Sequence, residues 1–499
     1  MLPPPKPALA QNTFAFETEP LVKPTGFREY DARWLFGKEL NLIGVQALGM
    51  GIGTLVRELG AQPEIVVAHD FRSYSASIKM ALATGLMASG MRVHDIGMGV
   101  TPMAYFAQFA LDVPCVAMVT ASHNENGWTG VKMGAARPLT FGPDEMSRLK
   151  EIVLGALFDT RPGGAYEFIQ GFAERYMADL ANRPRLKRKL KVVVACGNGT
   201  AGAFSPKVLE RVGCEVVPLD CELDWTFPNY NPNTEDLKML HAVRDEVLRT
   251  KADVGLAFDG DGDRCGVVDD EGEEIFADKV GVMLARDLSA QHGGGIFVVD
   301  VKSTGLFLTD PVLKKNGVRA DYWKTGHSYI KRRVAELGAL AGFEKSGHFF
   351  FNPPVGRGYD DGLVAALAVC DMLDRNPDKK MSDLRKALPR TWGSPTMSPH
   401  CDDEVKYTVV EKVLRHFESA KEKGDKVAGQ KIRDVVTVNG VRVTVEDGTW
   451  GLVRASSNKP ELAVVVESPV SEARMREMFE AVDAVLRVHP EVGEYNQKI

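Results

Sequence analysis

The chain has 499 residues, enough for roughly three or four domains that each bury a core. Apolar residues make up 44% and charged residues 26%, an ordinary globular mix that excludes a disordered, collagen-like or coiled-coil chain. The 61 lysines and arginines stand against 67 aspartates and glutamates, and the net charge of −6 gives no reason to expect nucleic acid or a membrane as partner, leaving small molecules.

Seven scattered cysteines (Cys115, Cys196, Cys214, Cys221, Cys265, Cys370 and Cys401) contain no C-x-x-C pair, so neither a disulfide frame nor a zinc site is expected. The proline-rich opening MLPPPKPALAQNTF lacks the apolar region of a signal peptide, and no apolar run approaches the roughly 18 residues of a membrane span. The expected setting is the cytoplasm.

In chain order, an apolar strand, a small-polar loop, a helix, a glycine and a second strand recur three times, at 63–97, 190–220 and 293–326. Short Val/Ile-rich strands alternating with helices predict βαβ units, mainly parallel sheets and functional loops at the carboxyl ends of the strands. The last hundred or so residues differ. A charged helical segment over 403–424 leads into strands punctuated by Asn439-Gly440 and Asp447-Gly448, and an amphipathic helix over 471–488 follows. Such dipeptides between apolar runs are hairpin signals, so an α+β domain is expected there. The predicted division is 1–165, 166–273, 274–388 and 389–499.

Five motifs carry possible chemistry. In MVTASHNENGWTGVKM, Ser122 stands beside His123 and Asn124 with Lys132 downstream, which fits either a nucleophilic phosphate carrier or a polar turn. Gly197-Asn-Gly199-Thr-Ala-Gly202, with Asp220 beyond it, spells a dinucleotide fingerprint. Only one of the three repeats carries those glycines, so they are assigned to a tight strand-to-helix turn. In AFDGDGDRCGVVDD, Asp259, Asp261 and Asp263 alternate at a strand end and either converge on one hard cation, for which Mg²⁺ is the best match, or form a solvated acidic turn. An EF-hand is excluded, because Arg264 would replace its sixth-position glycine and Asp270 its twelfth-position glutamate. GFEKSGHFFFN offers Glu344 and Ser346 as acceptor and donor for adjacent sugar hydroxyls, or else an exposed turn. GLVRASSNKPELAVVV presents Arg454, Ser456, Ser457 and Asn458 as a phosphate grip between strands, or else a plain polar hairpin.

The ordered set TASHN, DGDGDR, EKSGH and RASSN, one per predicted domain, resembles the α-D-phosphohexomutase superfamily, particularly its phosphomannomutase/phosphoglucomutase branch. FREYDARW, FPNYNPNTEDL, DVKST and KTGHSYI extend the resemblance over nearly the whole chain. It implies three similar α/β domains with mainly parallel mixed sheets and a C-terminal α+β, TATA-box-binding-like domain around a central cleft. It further implies that Ser122 is phosphorylated, that Ser122, Asp259, Asp261 and Asp263 hold Mg²⁺, and that Arg264 sits by the transferring group. By the same resemblance, Lys132 and His348 are candidates for proton transfer, Glu344 and Ser346 read sugar hydroxyls, and Arg454, Ser456, Ser457 and Asn458 grip the distal phosphate. Tyr30, Arg33, His123, Lys302 and His327 fall on other substrate-binding positions. Trp34, where glycine is common, and Lys345, where methionine or glutamine is common, leave sugar preference open.

The implied activity interconverts hexose 1-phosphate and hexose 6-phosphate, of mannose and/or glucose, through a phosphoserine and a hexose 1,6-bisphosphate, which also serves as activator. A phosphoglucosamine mutase is the alternative; remoter ones are a nucleotide-dependent oxidoreductase and a non-catalytic sugar-phosphate sensor. The expected partner is a phosphosugar, with neither nucleic acid nor membrane, and the chain is expected to be a monomer or weak homo-oligomer.

Overall fold

Each Val/Ile-rich run of the three repeats forms a strand, and the segments between them fold back as helices because a parallel neighbour can be reached only by a crossover. The computed structural model describes residues 2–457, 459–497 and 499. Two compact units result: Met1–Ala277 with Ser346–Ser382, and Asp278–Lys345 with Asp383–Ile499.

The first unit contains two sheets. In the larger, the strand order is Ala32–Leu35, Trp128–Gly134, Cys115–Val119, Glu64–His69, Arg92–Met98 and Ala165–Phe168. Glu64–His69 runs parallel to both neighbours, whereas Trp128–Gly134 is antiparallel to both of its own, so the sheet is mixed. Helices Leu42–Glu58 and Ser75–Ala88 cross at Gly49 and Gly85. A Cβ at Gly49 would collide with the Leu82 carbonyl, and one at Gly85 with the Gln46 carbonyl, so backbone packs on backbone there. Trp34 is fully buried in the same core, its indole N–H donating to the Lys23 carbonyl at 2.8 Å. The indole at this position is therefore accommodated by core packing.

The second sheet orders Glu274–Ile275, Cys265–Asp269, Val254–Phe258, Lys191–Ala195 and Glu215–Leu219. Lys191–Ala195 is parallel to both neighbours, while Val254–Phe258 and Cys265–Asp269 form an antiparallel pair. The loop joining that pair is the acidic DGDGD segment. Gly202 abuts the backbone of Cys221, which accounts for its lack of a side chain and supports the tight-turn reading of G-N-G-T-A-G. Residues 346–382 follow the third repeat in sequence yet group with this unit: His348 bridges Arg264, and the apolar helix Gly362–Arg375 packs on Cys265–Asp269. That helix is capped by Asp361, which accepts from the N–H groups of Leu363 and Val364 at 2.9 and 3.1 Å.

In the second unit, Gly295–Asp300 is flanked by the parallel strands Val318–Trp323 and Ala341–Phe343. The helix predicted within this repeat is split into Leu306–Thr309 and Pro311–Lys315. Pro311 has no N–H to continue the first piece, and Asp310 caps the second through Val312 and Leu313. The C-terminal part is an antiparallel sheet ordered Trp392–Gly393, Leu462–Ser468, Trp450–Ala455, Val441–Val445, Gln430–Val436 and Lys426–Val427. Gly440 and Gly448, at φ +79° and +89°, turn the chain between those strands as their dipeptides predict. Helices Lys406–Lys423 and Glu472–Leu486 bury Val409, Val413, Phe417, Met475, Met478 and Val482 against the sheet. Among the described residues no helix is long and apolar enough to cross a membrane.

Candidate active site

Ser122 lies just past the strand Cys115–Val119 with φ +50°, a left-handed conformation that costs a non-glycine residue and persists only when its surroundings fix it. They do so here. Arg72 donates to the Ser122 carbonyl at 3.1 Å and the Asn124 carbonyl at 2.6 Å, and is itself paired with Asp70 at 2.5 Å. The Ser122 N–H donates to Thr120 Oγ1 at 2.9 Å, while Asp70 accepts from the N–H of Ala121 at 3.3 Å. The serine hydroxyl is thereby aimed at Asp259, donating to its Oδ2 at 3.0 Å, with His123 Nδ1 3.3 Å away. Gly260 packs on the Ser122 carbonyl, leaving no room for a side chain.

Asp259, Asp261 and Asp263 are all fully buried, and each offers a carboxylate oxygen within 4.8 Å of the others. Three such charges are tolerable only with counter-charges. Lys132, on the antiparallel strand Trp128–Gly134, donates to Asp261 at 2.9 Å and also to Asp263. Thr101, at the start of helix Thr101–Ala110, donates its hydroxyl to Asp261 at 2.5 Å. The Arg264 N–H reaches Asp259 Oδ1 at 3.2 Å, and its guanidinium lies 3.8 Å from Oδ2. Arg33 adds positive charge that Asp261 and Asp263 feel, while held by Asp31 at 3.0 Å and donating to the Thr120 carbonyl at 3.2 Å. Burial presses Asp263 upward, but Lys132 and His348 hold it well below the usual carboxylate range. Burial also presses down on the Lys132 ammonium, but Asp261 and Asp263 outweigh it and keep the group charged. Asp259 goes the other way: burial, then Asp263 and Asp261, push it up to about 8.

His348 stands with Nε2 3.4 Å from Asp263 Oδ1 and 3.8 Å from Asp360 Oδ2. Arg264 Nε approaches the same nitrogen at 3.4 Å, and Ser346 Oγ lies 3.1 Å from Nδ1. Tyr30 is buried in this unit near Asp31 and Arg33. A divalent cation fits this donor set. The ligand atoms are oxygens, and Asp261 Oδ1 is buried without a hydrogen-bond partner among the described residues.

In the second unit, Lys302 and Glu344 follow the strands Gly295–Asp300 and Ala341–Phe343 at their carboxyl ends, and His327 opens helix His327–Leu337. All three are buried. Glu344 Oε1 accepts from the Gly326 N–H at 2.6 Å, and Lys345 turns its ammonium to 3.5 Å from Asp278. Arg454, one residue before the end of the strand Trp450–Ala455, donates to Ser457 Oγ at 3.1 Å. The loop's base is clamped by buried Lys406, which donates to the Ser456 and Lys459 carbonyls at 2.5 and 3.0 Å. Ser456 is half-buried; Asn458 lies outside the described residues.

Sequence reasoning missed Asp70, Arg72, Thr101, Asp360 and Lys406. The string DFR directly after the strand Glu64–His69 was a positional signal for the first two. The others have no local signature.

Comparison with known proteins bears on this arrangement. Models of the phosphoglucomutase/phosphomannomutase alpha/beta/alpha domains I, II and III match residues 24–159, 174–272 and 276–392, and that of the C-terminal domain matches 404–485. A phosphomannomutase/phosphoglucomutase of Pseudomonas putida is 33% identical over 468 residues, covering 93% of this chain and 96% of that protein. A phosphoglucomutase of Neisseria meningitidis is 32% identical over 463 residues, covering 91% and 96%. The crystal structure of a phosphoglucomutase/phosphomannomutase family protein from Burkholderia thailandensis superimposes with a TM-score of 0.84 at 31% identity, covering 94% of this chain and 98% of that one. With all four domain models matched in order, and a buried serine set against a buried acidic triad where the first two of them fold together, the chain belongs to the phosphoglucomutase/phosphomannomutase family.

Proposed function

We propose that this chain is a reversible phosphohexomutase, moving a phosphoryl group between the 1- and 6-oxygens of mannose and/or glucose phosphates with Ser122 as the carrier. One observation carries the reading: a serine hydroxyl in a strained, braced turn lies 3.0 Å from a buried carboxylate of a cation-binding triad. In the forward half-reaction the phosphorylated Ser122 gives its phosphoryl group to the free hydroxyl of a hexose monophosphate. The resulting 1,6-bisphosphate turns end for end, and its other phosphate returns a phosphoryl group to the serine. A hexose 1,6-bisphosphate reloads any chain whose phosphoserine has been hydrolysed.

Asp259, Asp261 and Asp263 would hold Mg²⁺, together with an oxygen on Ser122. When bound, the cation offsets charge developing on the transferring group. Arg264 supplies a guanidinium on the flank of the same group. Lys132 neutralises the triad; locked as a cation between two carboxylates, it is a poor base. His348 is the better proton acceptor, since Asp360 and Ser346 flank its ring and Asp263 lies against it. His348→Gln is expected to lower kcat by roughly 10²–10⁴-fold with little change in KM. Steady-state kinetics check this, and a raised KM with kcat unchanged would assign His348 to binding instead. Glu344 and Ser346 suit sugar hydroxyls, and Arg454, Ser456, Ser457 and Asn458 suit the non-reacting phosphate. Tyr30, Arg33, His123, Lys302 and His327 are proposed to contact substrate around these groups.

The raised Asp259 has a measurable consequence. Its folded value of about 8 exceeds the unfolded one of about 3.9, so the cation-free fold binds an extra proton between those values and loses stability as pH rises through that window. A cation displaces that proton. Divalent-cation affinity should therefore climb as pH rises toward about 8 and level off beyond it, with about one proton released per cation. Calorimetric titration in buffers of different ionisation enthalpy reads this directly; affinity independent of pH across that range would remove Asp259 from the ligand set.

The function is tested by a coupled assay on mannose, glucose and glucosamine 1-phosphates with Mg²⁺ and a trace of glucose 1,6-bisphosphate. Turnover of the first two, with phosphate mapped to the Ser122 peptide, is the expected result. Preferred turnover of the aminosugar phosphate would reassign the substrate. Binding without turnover would make the chain a sensor.

A further inference from the structure

We propose that Cys196 and Cys221 form a dithiol that a low-molecular-weight disulfide converts into an intramolecular disulfide, lowering turnover at the Ser122 site. This inference concerns regulation of that site and rests on the mutase reading above. The two cysteines follow adjacent parallel strands, Lys191–Ala195 and Glu215–Leu219, whose last residues are in register. Their Sγ atoms are 3.6 Å apart, and the Cys196 N–H donates to the Leu219 carbonyl at 3.2 Å, holding the backbones together. Cys196 is fully buried and Cys221 is partly exposed, so a solution disulfide meets only one of them first. Contact with the Cys196 thiol also holds Cys221 below the ordinary thiol range, against burial, which favours it as the attacking sulfur.

The exchange balances. Cys221 loses its proton to solvent and attacks one sulfur of the small disulfide, forming a mixed disulfide and expelling one small thiolate. Cys196 then loses its proton and attacks Cys221 Sγ, expelling the second thiolate. Two electrons pass from the two cysteine thiolates to the small disulfide, and excess small thiol reverses both steps.

Closing a 3.6 Å gap to the roughly 2.05 Å of an S–S bond, with the fixed torsion that bond demands, is expected to shift the chain at one or both strand ends. Both ends lead into the site. Beyond Cys196, Asn198 donates to the Asp220 carbonyl at 2.6 Å and Thr200 to the Gly260 carbonyl, within the acidic loop, at 3.0 Å. Beyond Cys221, Asn198 Nδ2 holds the Glu222 carbonyl at 2.8 Å, and Asn231 bonds the His123 carbonyl next to the carrier serine. Gly202 already touches the Cys221 backbone, so that movement has no slack to absorb it.

The test treats the full, reduced chain with glutathione disulfide and maps it without reduction. The expected result is a Cys196–Cys221 cross-link with turnover about tenfold lower, on the principle that ångström-scale displacement of reacting groups can cost ~100-fold, and full recovery with dithiothreitol. Cys196→Ala and Cys221→Ser should keep full turnover through the same treatment. A glutathione adduct without ring closure, a cross-link with turnover unchanged, or equal loss in Cys221→Ser would each overturn the proposal. Divalent-cation affinity of the acidic triad is measured in parallel and should weaken on cross-linking. If the reduced chain has no mutase turnover, it is the functional reading that fails; the map and the cation affinity still decide whether the thiol pair acts on the loop.

Discussion

Replacing Ser122 with alanine is expected to abolish mutase turnover, by about 10⁴-fold or more, while leaving the fold intact. The serine is 2% exposed, and among the described residues its hydroxyl contacts only Asp259 and His123; the turn itself is held through backbone groups by Arg72, Thr120 and Asp70. Removing one oxygen therefore leaves the brace in place. Without the carrier, the hexose monophosphate can still be bound, but its free hydroxyl meets no phosphoryl donor on the protein. Added hexose 1,6-bisphosphate should not restore turnover, because it has no acceptor to load. Assays with and without that bisphosphate, alongside thermal unfolding to confirm the fold, make the check. Turnover near that of the native chain would remove Ser122 from the chemistry altogether.

Lys132→Met should produce the largest stability effect, and one that depends on conditions. Removing one partner of a buried ion pair strands the other, at a cost of about 3–5 kcal/mol. Here the ammonium, 2% exposed, serves two carboxylates at once, and methionine matches its length without its charge. In chelator, the variant should unfold well below the native chain. Millimolar Mg²⁺ should recover much of the difference, since a divalent charge at the triad replaces the lost counter-charge. Unfolding curves for both chains in chelator and in Mg²⁺ give the coupling directly. Equal destabilisation in both conditions would mean that the lysine acts by packing and that the triad does not take a cation.

The repeat pattern carried most of the architecture, because strand runs rich in Val and Ile and their glycine-closed helices are local signals. The acidic loop was legible for a related reason: its aspartates lie two apart, directly after an apolar strand, so their convergence is written into a few residues. Asn439-Gly440 and Asp447-Gly448 marked real turns. What escaped was long-range. Arg72 reaches Ser122 across 50 residues and Thr101 reaches Asp261 across 160, and nothing near either donor specifies its acceptor. Lys406 opens a helix in what reads as a plain charged segment, yet fixes a loop 50 residues away. The split in the third repeat's helix was readable in principle from Asp310-Pro311. Helical periodicity on both sides of that pair masked it.

The crossing of helices Leu42–Glu58 and Ser75–Ala88 sets a constraint of another kind. Where Gly49 and Gly85 bring main chain against main chain, even a methyl group has to push the second helix outward. That helix begins at Ser75, whose hydroxyl grips Asp70 at 2.5 Å, and Asp70 anchors the arginine that shapes the carrier turn. Genetic drift at two featureless positions, remote from any reacting atom, is thus mechanically geared to phosphate handling. Inherited variation here should be narrowest at places where a chemist would see nothing to conserve.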